Sequence, residues 1–221
     1  MHLVDGTYMM GRGWLDRSRT WAIQTKDGGQ RYSPMLFVTE YCGREIGFPR
    51  LAVDRSAAST RDRVYVGCAP TNKTEIAVIH STKGVDEWSD PVRVAGGTDT
   101  LMRRTTAIAV NDSGVVAVGW YEKVAGAAPD CHRVMVAGSV DGGETFTRPV
   151  PLSPVNSCVN TPKNGWSATR WAMGGDYFGF AAAPDGTFRA VWADSRSGVY
   201  QLRFATIEAR RDGTVNKAVS R

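Results

Sequence analysis

No stretch of this 221-residue chain approaches the ~18 consecutive apolar residues of a membrane-spanning helix, which removes a helical membrane span from consideration. The opening MHLVDGTYMM lacks a basic segment followed by an apolar one, so no secretory leader is visible in it. Arginine and lysine outnumber the acidic residues by 27 to 22, but they are scattered and never form the dense block of a nucleic-acid arm. A nucleic-acid partner is therefore not expected. Histidine is scarce, at three residues, and the four cysteines (Cys42, Cys68, Cys131, Cys158) show no C-x-x-C spacing, so neither a zinc site nor any other metal or cofactor is implied. The even cysteine count permits two disulfides, Cys131 with Cys158 among them, and equally permits buried free thiols. Also missing is any long 3.6-period amphipathic segment, which excludes a helical solenoid. What remains is ordinary globular composition, 42% hydrophobic and 22% charged, at a length that an all-β protein uses as one domain.

The sequence contains a repeat. TKDGGQRY at 25–32 and SVDGGETF at 139–146 share hydroxyl, any residue, Asp, Gly, Gly, two further residues and an aromatic ring. STKGVDEW at 81–88 keeps the first hydroxyl, Ser81, and the final ring, Trp88. These segments begin 56 and 58 residues apart, and that regularity is the kind of period that marks a repeat architecture. Short β-type runs precede each (TWAIQ, EIAVIH, RVMVAG), and SPMLFV, SDPVRV and TRPVPL follow, where Pro suits a strand start or a sheet edge. Each segment thus reads as the turn of a hairpin. Two further strands lie upstream of it, as in AIAVN and GVVAVGWY, joined by turns such as NDSG and PDGT. Four short antiparallel strands per unit of ~50 residues is the pattern of propeller blades.

Within the turns, Ser139 and Asp141 have two readings: a catalytic pair, or side chains that bond their own backbone. Three copies of one catalytic group in successive units would be redundant. The structural reading is therefore preferred for Ser139, Asp141, Gly143 and Phe146 and for Thr25, Asp27, Gly29 and Tyr32.

This pattern resembles the Asp box of the bacterial neuraminidase repeat, S-x-D-x-G-x-T-[WF], and the chain is similar to part of a sialidase-type β-propeller over nearly its whole length. The resemblance implies an all-β fold with four antiparallel strands per blade. About four blades of a six-bladed ring are expected, approximately 1–42, 43–97, 98–155 and 165–221. LVDGTYMMGRGW at 3–14 matches APDGTFRAVW at 183–192, a first-to-second-strand hairpin, so the chain is expected to begin inside a blade. A C-terminal fragment of a longer, secreted protein is the corresponding expectation, with self-association if the ring is truly incomplete.

In a propeller the ligand lies on the axis, where the loops entering each innermost strand converge. Aligning RLAVD, AIAVN and FAAAP places Gly47, Arg104 and Asp176 at equivalent positions, with Arg50, Arg103, Arg170 and Tyr177 nearby. The resemblance implies exo-α-sialidase chemistry on a glycan: arginines for the sialic acid carboxylate, a Tyr nucleophile activated by Glu, and an Asp general acid/base. Guanidinium forks suit a carboxylate, and a phenol avoids the repulsion a carboxylate nucleophile would meet. Carried onto this chain, the candidates are Arg50, Arg104 and Arg170 for substrate, Tyr177 or Tyr121 as nucleophile, Glu122 or Glu40 as activator and Asp176 as the acid/base. The family's Arg-Ile-Pro motif is absent here. A non-catalytic propeller that binds glycan or protein through the same face is the alternative. Asp194 and Arg196 in WADSR read as a local ion pair, and GGTDT and GGDY carry no P-loop context.

Overall fold

The computed structural model describes residues 2–5, 19–42, 49–70, 72–127, 131–159, 177–209 and 215–220. Among these there is no helix; seventeen strands form four antiparallel sheets. The first holds β1 (His2–Asp5), β2 (Thr20–Ile23) and β3 (Leu36–Thr39) in that order. In the second, β4 (Arg50–Val53), β5 (Val64–Cys68) and β6 (Glu75–Lys83) are consecutive neighbours, and β7 (Glu87–Trp88) and β8 (Val92–Gly96) share the outer side of β6. The third repeats this plan with β9 (Arg103–Val110), β10 (Val116–Lys123) and β11 (Cys131–Ser139), and β12 (Val150–Pro151) and β13 (Ser157–Cys158) lie outside β11. The fourth runs β14 (Phe178–Ala182), β15 (Phe188–Asp194), β16 (Gln201–Ala209), β17 (Val215–Ser220). Sequential antiparallel strands repeated sheet after sheet make these the blades of a β-propeller.

The sheets stack face to face, and their inner strands come together: β9 packs between β4 and β14. Three apolar clusters fill the gaps. Ala22, Val38, Val66 and Ile79 join the first two sheets; Tyr65, Val78, Ile108, Val118, Trp120 and Phe146 join the second and third; Tyr121, Val134, Phe188, Trp192 and Ile207 join the third and fourth. Because β10 is covered on both faces, VAVGWYE is buried throughout and shows no polar alternation. Two disulfides add covalent ties, and no described cysteine is free. Cys131 and Cys158 face each other across β11 and β13, while Cys42–Cys68 links the segment after β3 to the end of β5. The expected hairpin over 3–14 is corrected in one respect: β1 pairs with Thr20–Ile23, and residues 6–18 lie outside the described residues.

The repeated turns connect β2 to β3 in the first sheet and β11 to β12 in the third. In the first, Thr25 Oγ1 donates to Asp27 Oδ1 and accepts from the Gly29 amide, while the same Asp27 oxygen accepts the amides of Gln30 and Arg31. In the third, Ser139 Oγ donates to Asp141 Oδ1 and accepts from the Gly143 amide, and Asp141 accepts from the amide and hydroxyl of Thr145. Gly29 and Gly143 have φ of 94° and 90°, the left-handed region that a side chain would strain. The divergent second turn closes differently: β6 runs on and pairs Ser81 with Trp88 in a tighter hairpin. Each ring is followed by a further hydroxyl. Ser33, Ser89 and Thr147 each donate an amide to, and accept an amide from, the residue preceding the box, namely Gln24, His80 and Gly138.

Candidate functional site

The starts of β4 and β14 and the middle of β9 line a cavity of about 530 Å³. Arg50 and Leu51 line it from β4, Ala107 and Ile108 from β9, and Tyr177 to Phe180 from the approach and first half of β14. Its lining combines aliphatic and aromatic side chains with the polar Arg50 and Tyr177. Tyr177 is 82% exposed, and Arg50 is also exposed. Phe178 can sit against the third sheet only because residue 119 is glycine: a Cβ there would lie 2.5 Å from its ring.

Two arginines open β9 and point to opposite faces. Arg103 is buried and bound from several directions: its Nε donates to Glu122 at 2.8 Å, its terminal nitrogens donate to both Asp99 oxygens at 2.8 and 2.9 Å, and it reaches the Thr74 carbonyl of the second sheet. That guanidinium holds the Asp99 carboxyl down to about 2. Glu122 spends its other oxygen on Arg133, at 3.0 Å. Arg104 is half-buried on the opposite face, directly across from Tyr121 of β10.

Of the residues proposed from sequence, Arg50 and Tyr177 both line the cavity, and Arg104 stands at the adjoining strand entry. Arg170, Asp176 and Gly47 lie outside the described residues. Glu122, expected as one of two candidate activators of the tyrosine, is buried and paired with Arg103 and Arg133 on the face turned toward the second sheet. Tyr121 is corrected as a nucleophile: it is fully buried, and burial pushes its hydroxyl far above the ordinary phenol value despite the opposing Ala193 backbone hydrogen bond and Arg104 charge. Glu40 pairs with Arg19 at 2.8 Å, exposed, just after β3. Asp194 forms the expected pair with Arg196 and also accepts from the Trp192 indole. None of the described lining residues is a carboxylate. The Arg103 network was not foreseen from the sequence, because it depends on which face of β9 each arginine takes.

No protein-family model matches the sequence, and no curated protein sequence matches it. Solved structures do match its fold. Leech intramolecular trans-sialidase, complexed with 2,7-anhydro-Neu5Ac, superposes with a TM-score of 0.56 at 13% identity, over 91% of this chain and 28% of that one. The intramolecular trans-sialidase of Ruminococcus gnavus, in complex with oseltamivir carboxylate, gives 0.55 at 14%, over 91% and 39%. The GH93 α-L-arabinofuranosidase of Fusarium graminearum, with arabinobiose, gives 0.54 at 14%, over 91% and 57%. In each case this chain spans less than two thirds of the other's length. At these identities the likeness is one of fold, and the fold is the sialidase-like β-propeller.

Proposed function

We propose that this sialidase-like propeller belongs to a glycoside hydrolase of exo-α-sialidase type, which removes terminal sialic acid or a related sugar from glycans at the axial cavity. The observation that carries the reading is that cavity, with Arg50 and Tyr177 among its lining residues, in a fold shared with proteins crystallised with sugars. A sugar carboxylate would be met by Arg50, Arg104 and Arg170 in bidentate, charge-assisted pairs. Tyr177 would attack the anomeric carbon as a phenol, with Asp176 next to it in sequence as the acid/base group. Two disulfides favour an oxidising compartment, so the protein is assigned to the secreted or extracytoplasmic class. Among the described residues no helix is long and apolar enough to cross a membrane.

The commitment of Glu122 to arginines and the absence of a carboxylate from the described cavity lining favour a second reading, a propeller that binds glycan without cleaving it. One assay separates the two. The full-length natural protein is incubated with α-sialosides and an α-arabinofuranoside from acidic to neutral pH, and glycan binding is measured in parallel. Release of sialic acid, lost in Tyr177→Phe, is the expected result. Binding without turnover selects the second reading, and neither binding nor turnover overturns both.

A further inference from the structure

The backbone of β9 carries a bulge between the cavity wall and the two arginines. Thr105 and Thr106 together stand opposite Trp120, where the β9–β10 register shifts, and Thr105 has φ of 53°. Such an extra residue turns the side chains on one side of it to the other face. The packing records the reversal. Beyond the bulge, Ile108 and Val110 face the second sheet and Ala109 the fourth. Ahead of it, Met102 packs on the fourth-sheet side, and Arg103 reaches back to Thr74 of the second. Arg104 is thereby placed across from Tyr121, where an unbroken strand would have set Thr105.

Tyr121 spans the gap from that pair to the next blade. Its hydroxyl donates to the Tyr177 carbonyl at 3.3 Å, its ring meets His132 edge-on at 5.5 Å, and the Phe178 ring lies 5.8 Å away. The carbonyl it holds belongs to the residue that leads into β14 and lines the cavity. Resting on the function proposed above, we infer that Tyr121 is a positioning residue for the site: its hydroxyl fixes the backbone of Tyr177 while its ring backs the Arg104 side chain across the β9–β10 pair. A phenol from one blade and a guanidinium from its neighbour are thus held at a set spacing. Tyr121 itself touches no ligand and acts only through these two residues.

Tyr121→Phe tests this, because it removes one oxygen and leaves the buried ring. In the full-length natural protein without ligand, amide hydrogen exchange at residues 177–180 is expected to quicken roughly ten-fold, the equivalent of the one bond the hydroxyl donates to the Tyr177 carbonyl, with residues 134–137 of β11 unchanged. Affinity for an α-sialoside is expected to weaken by a similar factor, with little change in the melting temperature. Unchanged exchange at 177–180, equal acceleration in β11, or faster exchange with undiminished affinity each overturns the inference. Where the wild-type protein binds no α-sialoside, the proposed function fails by itself, and the exchange comparison still decides whether Tyr121 positions Tyr177.

Discussion

Thr105 is where the inner strand of the third sheet departs most from extended geometry. It is β-branched, 4% exposed and in the left-handed region, which costs about 1–2 kcal/mol for a residue with a Cβ. Glycine takes that conformation without the steric cost but loses more chain entropy on folding, by roughly 0.5–1 kcal/mol. Thr105→Gly is therefore expected to keep the bulge and raise the melting temperature slightly, by roughly 1–4 °C for a chain of this size. A calorimetric scan decides, and a lower midpoint would mean that the threonine side chain makes contacts that outweigh its strain. The box residues act on a comparably local scale. Asp141 is held below the usual carboxylate range by the Thr145 and Ser139 hydrogen bonds, which prevail over partial burial, and those bonds close a turn.

At the scale of elements, the short strand β13 joins more of the molecule than its two residues suggest. Cys158 bonds to Cys131 of β11, Ser157 Oγ accepts the Ser195 amide, and Ser195 Oγ donates to the Cys158 carbonyl. The disulfide thus fastens the third sheet to the loop that follows β15, beside the Asp194–Arg196 pair. Its cysteines are 27 residues apart, so chain-entropy arguments assign it about 3–4 kcal/mol. The double variant Cys131→Ser, Cys158→Ser is expected to lose about that much stability in urea unfolding. A loss below 1 kcal/mol would mean that the serine contacts and the β-ladder hold β13 without the covalent tie.

At the scale of the whole molecule, the turn at 139–146 seats the third sheet on the second. Arg63 donates to the Gly142 carbonyl and to Glu144, His80 Nε2 lies 3.2 Å from Glu144, and Gly143 packs on the rings of Tyr65 and His80. Burial lowers the proton affinity of His80, assisted by the Arg63 charge and opposed by Glu144 and Asp141. The unfolded chain takes up this proton near the ordinary value of 6.5, and the folded chain only at lower pH. The His80 contribution is then fully present above about pH 6.5 and declines as pH falls toward the depressed folded value. His80→Gln is expected to flatten that decline, read as urea midpoints at about pH 7 and about pH 5. An identical slope in wild type and variant would exclude His80 as its source.

Local patterns were legible in the sequence, because turn closure depends on residues within a few positions of each other. The Thr25–Asp27–Gly29 and Ser139–Asp141–Gly143 turns, the hairpins around them and the propeller blades follow from side chains that bond nearby backbone. The hydroxyl after each ring, at Ser33, Ser89 and Thr147, was equally present in the sequence, and its part in closing the turn became plain only with its hydrogen bonds. Placing Arg50 and Tyr177 at one cavity required only that inner strands share an axis. The tertiary structure alone decided the rest. Alternation along a strand predicts facing only until a bulge resets it, so Arg103 and Arg104 exchanged the faces that simple counting assigns them. Glu122 found its partners on β9 and β11, Cys42 found Cys68 on another blade, and Tyr121 found a carbonyl 56 residues away. Such pairings are set by which blades become neighbours, a property of the assembled sheets that no local run of residues encodes.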